Sequence, residues 1–283
     1  VRLFHAIIDR YKELIIFIVN MENTNIKFYW INMDKCKDRK EFMEKQFNIY
    51  KIQNERIEAI TPETLETIIE DKPPYNCGSI CCSYNNNEDC KYEYSCIASH
   101  LKAIKKGVED NYDFFAICED DIYLPFELNL KKIIEDNSNL NFDILQLMVL
   151  DQEANINIYN SYYLNNIQFI PFNPELRLFS TGLYLISRKG ALKLIELYTN
   201  TQTNKFDLRK SDLRKQADFF IYMSVNTYTA SFPYCIPNLK FISQIHPHHF
   251  YVHKYAIDTI IENINKGHNK NPYLGKHVPL EQI

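Results

Sequence analysis

The chain has little net charge. Its 32 Lys and Arg face 36 Asp and Glu, a formal balance of −4 over 283 residues. The signs are mixed along the sequence, so no basic face offers itself to nucleic acid or to an anionic membrane. Long apolar runs are missing as well. Near the start the longest is Leu14 to Val19, far short of the roughly 20 residues a spanning helix needs. The preceding stretch from His5 to Glu13 reads as an amphipathic helix, and the pattern of a signal peptide is absent. The expectation is a cytoplasmic protein with no transmembrane segment and a helical extension over residues 1–25. No internal repeat or linker divides the rest of the chain. Residues 26–237 are read as one domain, with 238–283 as a C-terminal appendage of it.

Paired C-x-x-C units are absent too. Eight cysteines are present, and five crowd together as Cys77, Cys81, Cys82, Cys90 and Cys96. Their spacing is not that of a zinc knot. At 46% apolar a chain of this length buries a full core, so disulfide staples are not required. Free thiols are the leading reading, in keeping with a cytoplasmic compartment, with disulfides and a metal knot as the alternatives.

What is present is an alternation of strand and helix patterns, which points to an α/β fold with a parallel or mixed sheet and helices on its faces. Ile26 to Met33 reads as a buried strand, Lys37 to Tyr50 as a charged helix, and Arg56 to Ile60 as a short strand. Thr61-Pro62-Glu63 reads as a helix start with Pro in the first position. Residues 71–92, with Pro-Pro, Gly and an Asn triplet, read as a long loop or insertion. A helix is expected from Ser95 to Val108, closed by Lys105-Lys106-Gly107. Strands are expected at Asp113 to Cys118, Asp143 to Leu150 and Leu183 to Ser187, and helices at Lys189 to Tyr198 and Lys210 to Met223.

Chemistry gathers at Glu119-Asp120-Asp121. Three consecutive carboxylates after an apolar strand repel one another unless a cation or solvent relieves them, and they stand where open α/β sheets bind ligands. Mg²⁺ or Mn²⁺ suits such oxygen ligands and commonly shares its shell with substrate phosphates. Glu119 and Asp121, one residue apart, would point the same way in an extended segment. A solvated acidic turn is the plainer alternative. The late histidines read first as exposed loop residues; if one is a further ligand, His246 is the choice. Asn32, Asp34 and Arg39 at the end of the first strand can bind a nucleobase, ribose or phosphate, although Asp34 also suits a helix cap. Ser99 and His100 can face the same ligand or be satisfied inside their helix. Thr181-Gly182 offers a close backbone approach or a tight turn. Asp218, an acid entering an apolar helix, needs a partner or a task; an ion pair with Arg214 is the structural option.

Taken in order, these strings resemble glycosyltransferase family 25, which includes bacterial lipooligosaccharide galactosyltransferases and collagen hydroxylysine galactosyltransferases. INMDKCKDR from Ile31, RIEAI from Arg56, CIASHLKAIKKG from Cys96, FFAICEDDIYLP from Phe114, DILQL from Asp143 and TGLYLISRKGA from Thr181 carry the likeness, with Asp218 similar to the family's later acid. The resemblance implies a GT-A-type nucleotide-binding sheet flanked by helices. It implies a metal-dependent, inverting transfer of galactose or glucose from a UDP-sugar to a hydroxyl of a glycan or hydroxylysine-type protein. Glu119 and Asp121 would hold the metal, Asp120 and the polar residues above the donor, and Asp218 would be the base; His246 is a metal candidate on the residue reading alone, since the histidine-rich tail departs from the family, as do the Cys- and Asn-rich insertion and the N-terminal extension. A homodimer is compatible with this. A metal-dependent phosphoester hydrolase and a catalytically silent sugar-binding protein are the other readings.

Overall fold

The computed structural model describes residues 26–78, 87–241 and 250–283. The expected extension over 1–25, together with Cys81, Cys82 and His246, lies outside the described residues.

The chain opens on β1 (Lys27–Asn32), α1 (Lys37–Tyr50) and β2 (Asn54–Glu58). A single helical turn, α2 (Leu65–Ile68), leads towards α3 (Asn87–Glu109) and β3 (Phe114–Glu119). Then come β4 (Ile122–Tyr123), β5 (Phe126–Leu128), α4 (Leu130–Asp136) and β6 (Ile144–Gln146). They are followed by α5 (Gln152–Asn165), β7 (Phe169–Pro171), β8 (Leu183–Ser187) and α6 (Arg188–Tyr198). The last elements are α7 (Ala217–Met223), β9 (Thr227–Ala230), β10 (Ile236–Pro237), α8 (Phe250–Gly267) and β11 (Leu274–His277).

Seven strands make the central sheet in the order β2-β1-β3-β8-β6-β9-β7. β1 runs parallel to β2 and β3, and β6 parallel to β9, whereas β8 is antiparallel to both β3 and β6 and β7 is antiparallel to β9. The sheet is therefore mixed, helices cover both faces, and the expected α/β class with a GT-A-like arrangement is what the chain adopts. Period-two alternation divides the strand residues between two cores. Phe28, Trp30, Ala116 and Cys118 meet Met43 and Phe47 of α1 on one face. Tyr29, Ile31, Phe115 and Ile117 meet Ile97, Leu101 and Ile104 of α3 on the other.

Several element boundaries differ from expectation. α3 starts at Asn87, inside the stretch read as loop, rather than at Ser95. No Pro or Gly interrupts the sequence between Gly78 and Gly107, and Cys90, Tyr94, Ile97, Ala98 and Leu101 recur at helical spacing and are buried. Gly107 does not close the helix; it lies within it, where a β-carbon would come 2.3 Å from the Phe115 ring. At Thr61-Pro62-Glu63 the chain makes a turn, since the Thr61 amide donates to the Thr64 hydroxyl at 3.1 Å and that hydroxyl donates back to the Thr61 carbonyl at 3.2 Å, a local alternative to helix. Of Lys210 to Met223 only α7 is α-helical. Ahead of it the buried Lys215 ammonium donates to the carbonyls of Ser211 and Leu213, both at 2.7 Å, which holds the segment irregular. β6 is also shorter than the expected strand, although Leu147 still donates to the Leu183 carbonyl at 3.0 Å.

The C-terminal segment packs through α8 on α5, where Ile260 and Ile264 join Tyr159 and Tyr162, and through β11 on β5. Among the described residues no helix is long and apolar enough to cross a membrane.

Candidate active site

β1 leads through α1 to β2 on one side, and β2 leads through α3 back across β1 to β3 on the other. The strand order thus reverses between β1 and β3, the place where open α/β sheets form a ligand crevice at the carboxyl ends of their strands. Asn32 ends β1 there, Glu119 ends β3, and Asp120 and Asp121 make the turn into β4. A cleft of about 130 Å³ is lined by Asn32, Arg39, Ser99, His100 and all three acids, with Ile60 to Pro62 after β2 forming another wall. A larger cavity of about 870 Å³ lies between β4, β10, α8 and β11. Apolar side chains line it together with asparagines, a lysine and two histidines, and among the described residues no carboxylate faces it, so the smaller cleft, which holds all three acids, is the place for chemistry.

The three acids have different surroundings. Asp120 is buried and turned inward, paired with Arg39 at 2.7 Å and accepting from the Asn32 amide at 2.7 Å. Asn32 in turn accepts from Arg56 Nε at 2.8 Å, and Arg56 reaches out to Asp34, an ion pair at the surface. Arg39 also reaches Asp121 at 3.2 Å. This chain of bonds locks the end of β1 to the acidic turn. Burial pushes the Asp121 carboxyl up to about 7, with the charges of Glu119 and Asp120 adding to it and Arg39 only partly opposing. Burial also pushes Glu119 up, but hydrogen bonds from His100 and Thr181 outweigh it and hold that carboxyl below its ordinary value. The Thr181 hydroxyl donates to Glu119 Oε1 at 2.6 Å, and His100 Nε2 lies 3.5 Å from the same oxygen.

Asp218 stands in the first turn of α7, its carboxylate accepting from the Phe219 amide at 2.7 Å. Burial, helped by the nearby charges of Glu93 and Glu119 and opposed by that amide bond, raises its pKa to about 6. Beside it is Ser180, a residue other than glycine at φ 141°, a region that costs about 1–3 kcal/mol for an L-residue. Its carbonyl accepts from Gln146 at 3.1 Å and from the Tyr222 hydroxyl at 2.9 Å, and those bonds hold the conformation that presents Thr181 to Glu119.

Asn32, Arg39, Ser99, His100, Glu119, Asp120 and Asp121 thus share one cleft, and Thr181 reaches it through Glu119. The Ser99 hydroxyl is engaged within the protein, donating to the Ser95 carbonyl at 2.7 Å and accepting from the Ile60 amide at 2.8 Å. Asp34 is exposed and caps no helix; Cys36 holds the capping position of α1. Gly182 packs against Met148, whose methyl would be 2.4 Å from an added β-carbon, so its smallness serves close packing. Arg214 lies over the Phe219 ring at 5.6 Å. Cys96, read from the sequence chiefly as a free thiol, joins the site: its ligand atom and those of His100 and Glu119 all lie within 4.8 Å of one another. The i, i+4 spacing of Cys96 and His100 on one helical face was the signal for it.

Comparison with known proteins adds a family. The profile described as glycosyltransferase family 25 (LPS biosynthesis protein) matches residues 25–209, a span that holds the whole cleft and ends before Asp218. No curated protein matches the chain.

Proposed function

This chain belongs to glycosyltransferase family 25, and from that premise we propose that it moves a hexose, galactose or glucose, from a UDP-sugar to an acceptor hydroxyl with inversion. The acceptor would be a glycan or a hydroxylysine-type protein. The observation that carries this reading is the meeting of Glu119, Asp120 and Asp121 at the β1–β3 crevice, with Arg39 bonded to two of them.

A divalent cation fits these residues. Glu119 and Asp121 offer hard oxygen ligands, and the upward push on Asp121 from its acidic neighbours is the repulsion that a cation relieves. Those two would hold Mn²⁺ or Mg²⁺, which when bound supplies charge neutralisation for the departing diphosphate. Asp120 is already committed to Arg39 and Asn32, so its part is to fix the turn. His100 and Thr181 steady Glu119 by their bonds to Oε1.

Asp218 is the proposed base. A carboxylate with a pKa near 6 is ionised at neutral pH and more basic than an ordinary aspartate, as general-base catalysis requires. It would take the proton of the acceptor hydroxyl while that oxygen attacks the anomeric carbon from the face opposite the leaving UDP.

The test is UDP release from a panel of UDP-sugars, with Mn²⁺ and with a chelator. Metal-dependent release from one hexose donor supports the reading and names the donor. If no sugar is hydrolysed and calorimetry detects no UDP binding, the UDP-sugar assignment falls.

A further inference from the structure

We propose that Cys96, His100 and Glu119 form a binding site for a thiophilic divalent cation of the Zn²⁺ class, distinct from the Glu119–Asp121 carboxylate pair and in competition with it for Glu119. Binding at this site is independent of the transferase reading; only the competition rests on it.

Three observations meet here. Cys96 and His100 stand one turn apart on α3, facing the end of β3, and the Sγ, imidazole and carboxylate ligand atoms of the three residues lie within 4.8 Å of one another. That set of S, N and O ligands, with one position left for water, is the kind that Zn²⁺ accepts in tetrahedral sites. Two of the ligands already have oriented outer partners. His100 Nδ1 lies 3.1 Å from the Tyr184 hydroxyl. The Nε2 proton that bonds Glu119, 3.5 Å away, would leave to solvent when a cation takes its place, and a proton kept on Nδ1 and donated to the Tyr184 oxygen would leave the Nε2 lone pair to the metal. Glu119 Oε1 is held by the Thr181 hydroxyl at 2.6 Å. Such outer bonds fix tautomer and ring orientation in metal sites. All three ligands open on the same cleft, so a cation has a way in.

The chemistry of the ligands separates the two sites. Mn²⁺ and Mg²⁺ favour the oxygens of Glu119 and Asp121, while a thiolate selects Zn²⁺. On binding, the Cys96 S–H bond breaks, the proton leaves to solvent and sulfur donates its pair to the metal. The thiolate and the Glu119 carboxylate together balance the 2+ charge. Glu119 cannot serve both sites at once, so zinc would displace manganese from the donor cleft.

The experiment uses the full metal-free chain with Zn²⁺ or Co²⁺ alone, without nucleotide. The chain should bind Zn²⁺ more tightly than Mn²⁺, and Co²⁺ should give a thiolate-to-metal charge-transfer band. Cys96→Ser should abolish that band and weaken Zn²⁺ binding by about tenfold or more, as His100→Gln should. Asp121→Asn should weaken Mn²⁺ binding and spare Zn²⁺. Unchanged Zn²⁺ affinity and an unchanged cobalt band in Cys96→Ser would overturn the proposal, and so would loss of both metals in Asp121→Asn. Should Cys96→Ser not fold, alkylation mapped by mass spectrometry on the natural sequence decides: Zn²⁺ must protect Cys96 from iodoacetamide, and no protection sinks the site. If Zn²⁺ binds as described while no UDP-sugar is turned over, the donor assignment fails and the zinc site stands.

Discussion

Asp218 is where residue chemistry makes the sharpest demand. Its pKa rises from 3.8 to about 6 in the folded chain, so the protein binds that proton more tightly than the unfolded chain does. The stability linked to this group is complete below the unfolded value and is lost as pH rises through about 6. Asp218→Asn should therefore melt higher at pH 7, by up to about 3 kcal/mol at 1.36 kcal/mol per pKa unit and less for a side chain still partly exposed. If it is the base, the same change should slow turnover by roughly 10² to 10⁴. The natural sequence should also lose rate below about pH 6 as Asp218 takes up its proton. A variant that is stabilised and fully active would refute the assignment. Arg39 shows the opposite case. Arg39→Ala strands the buried Asp120 without its cation, and urea titration should show a loss of about 3–5 kcal/mol. The acidic triplet was legible because three like charges after an apolar strand demand an explanation. Their division of labour was not, because the inward turn of Asp120 depends on Asn32 and Arg39, which come from elements distant in sequence.

Among the elements, those with a clean period were legible to the residue, as α1 and β8 show. The misplaced boundaries share a cause: competing local bonds or distant contacts. Thr61 and Thr64 bond to each other where a helix was expected to start, and Lys215 uses its buried ammonium to hold carbonyls that a helix would have engaged. Gly190 of α6 illustrates a contact invisible to periodicity. A β-carbon there would lie 2.6 Å from Asp143 Cβ and 2.9 Å from the Asp143 carbonyl oxygen. Gly190→Ala gains at most about 1 kcal/mol of helix propensity, whereas overpacking against backbone costs about 1–3 kcal/mol. Lower stability with an unchanged denaturant slope is the expected outcome, and a stabilised variant would mean that β6 shifts freely. At the other edge, Asp110 binds Lys27, Tyr29 and Lys106. Although burial opposes it, these bonds hold its carboxyl well below the usual range. Its stabilisation is fully present above the unfolded pKa and is lost progressively as pH falls from there through the lower folded value, so Asp110→Asn should reduce the difference in melting temperature between pH 7 and pH 3.

At the scale of the whole molecule, the mixed sheet with helices on both faces followed from the alternation of strand and helix patterns. The strand order did not, since β8 inserts between β3 and β6 from far along the chain. That order nonetheless sets the crevice at the β1–β3 reversal and brings the acids there. The cleft holds Glu119, Asp120 and Asp121 against the Arg39 guanidinium bonded to two of them, and it therefore has a sequence of arrivals built into it. A diphosphate is itself an anion and would meet repulsion from the bare acids, so on the proposed reading the cation enters before the donor or together with it. The donor should then not bind ahead of the metal, and free UDP should compete against the donor only while the cation is present.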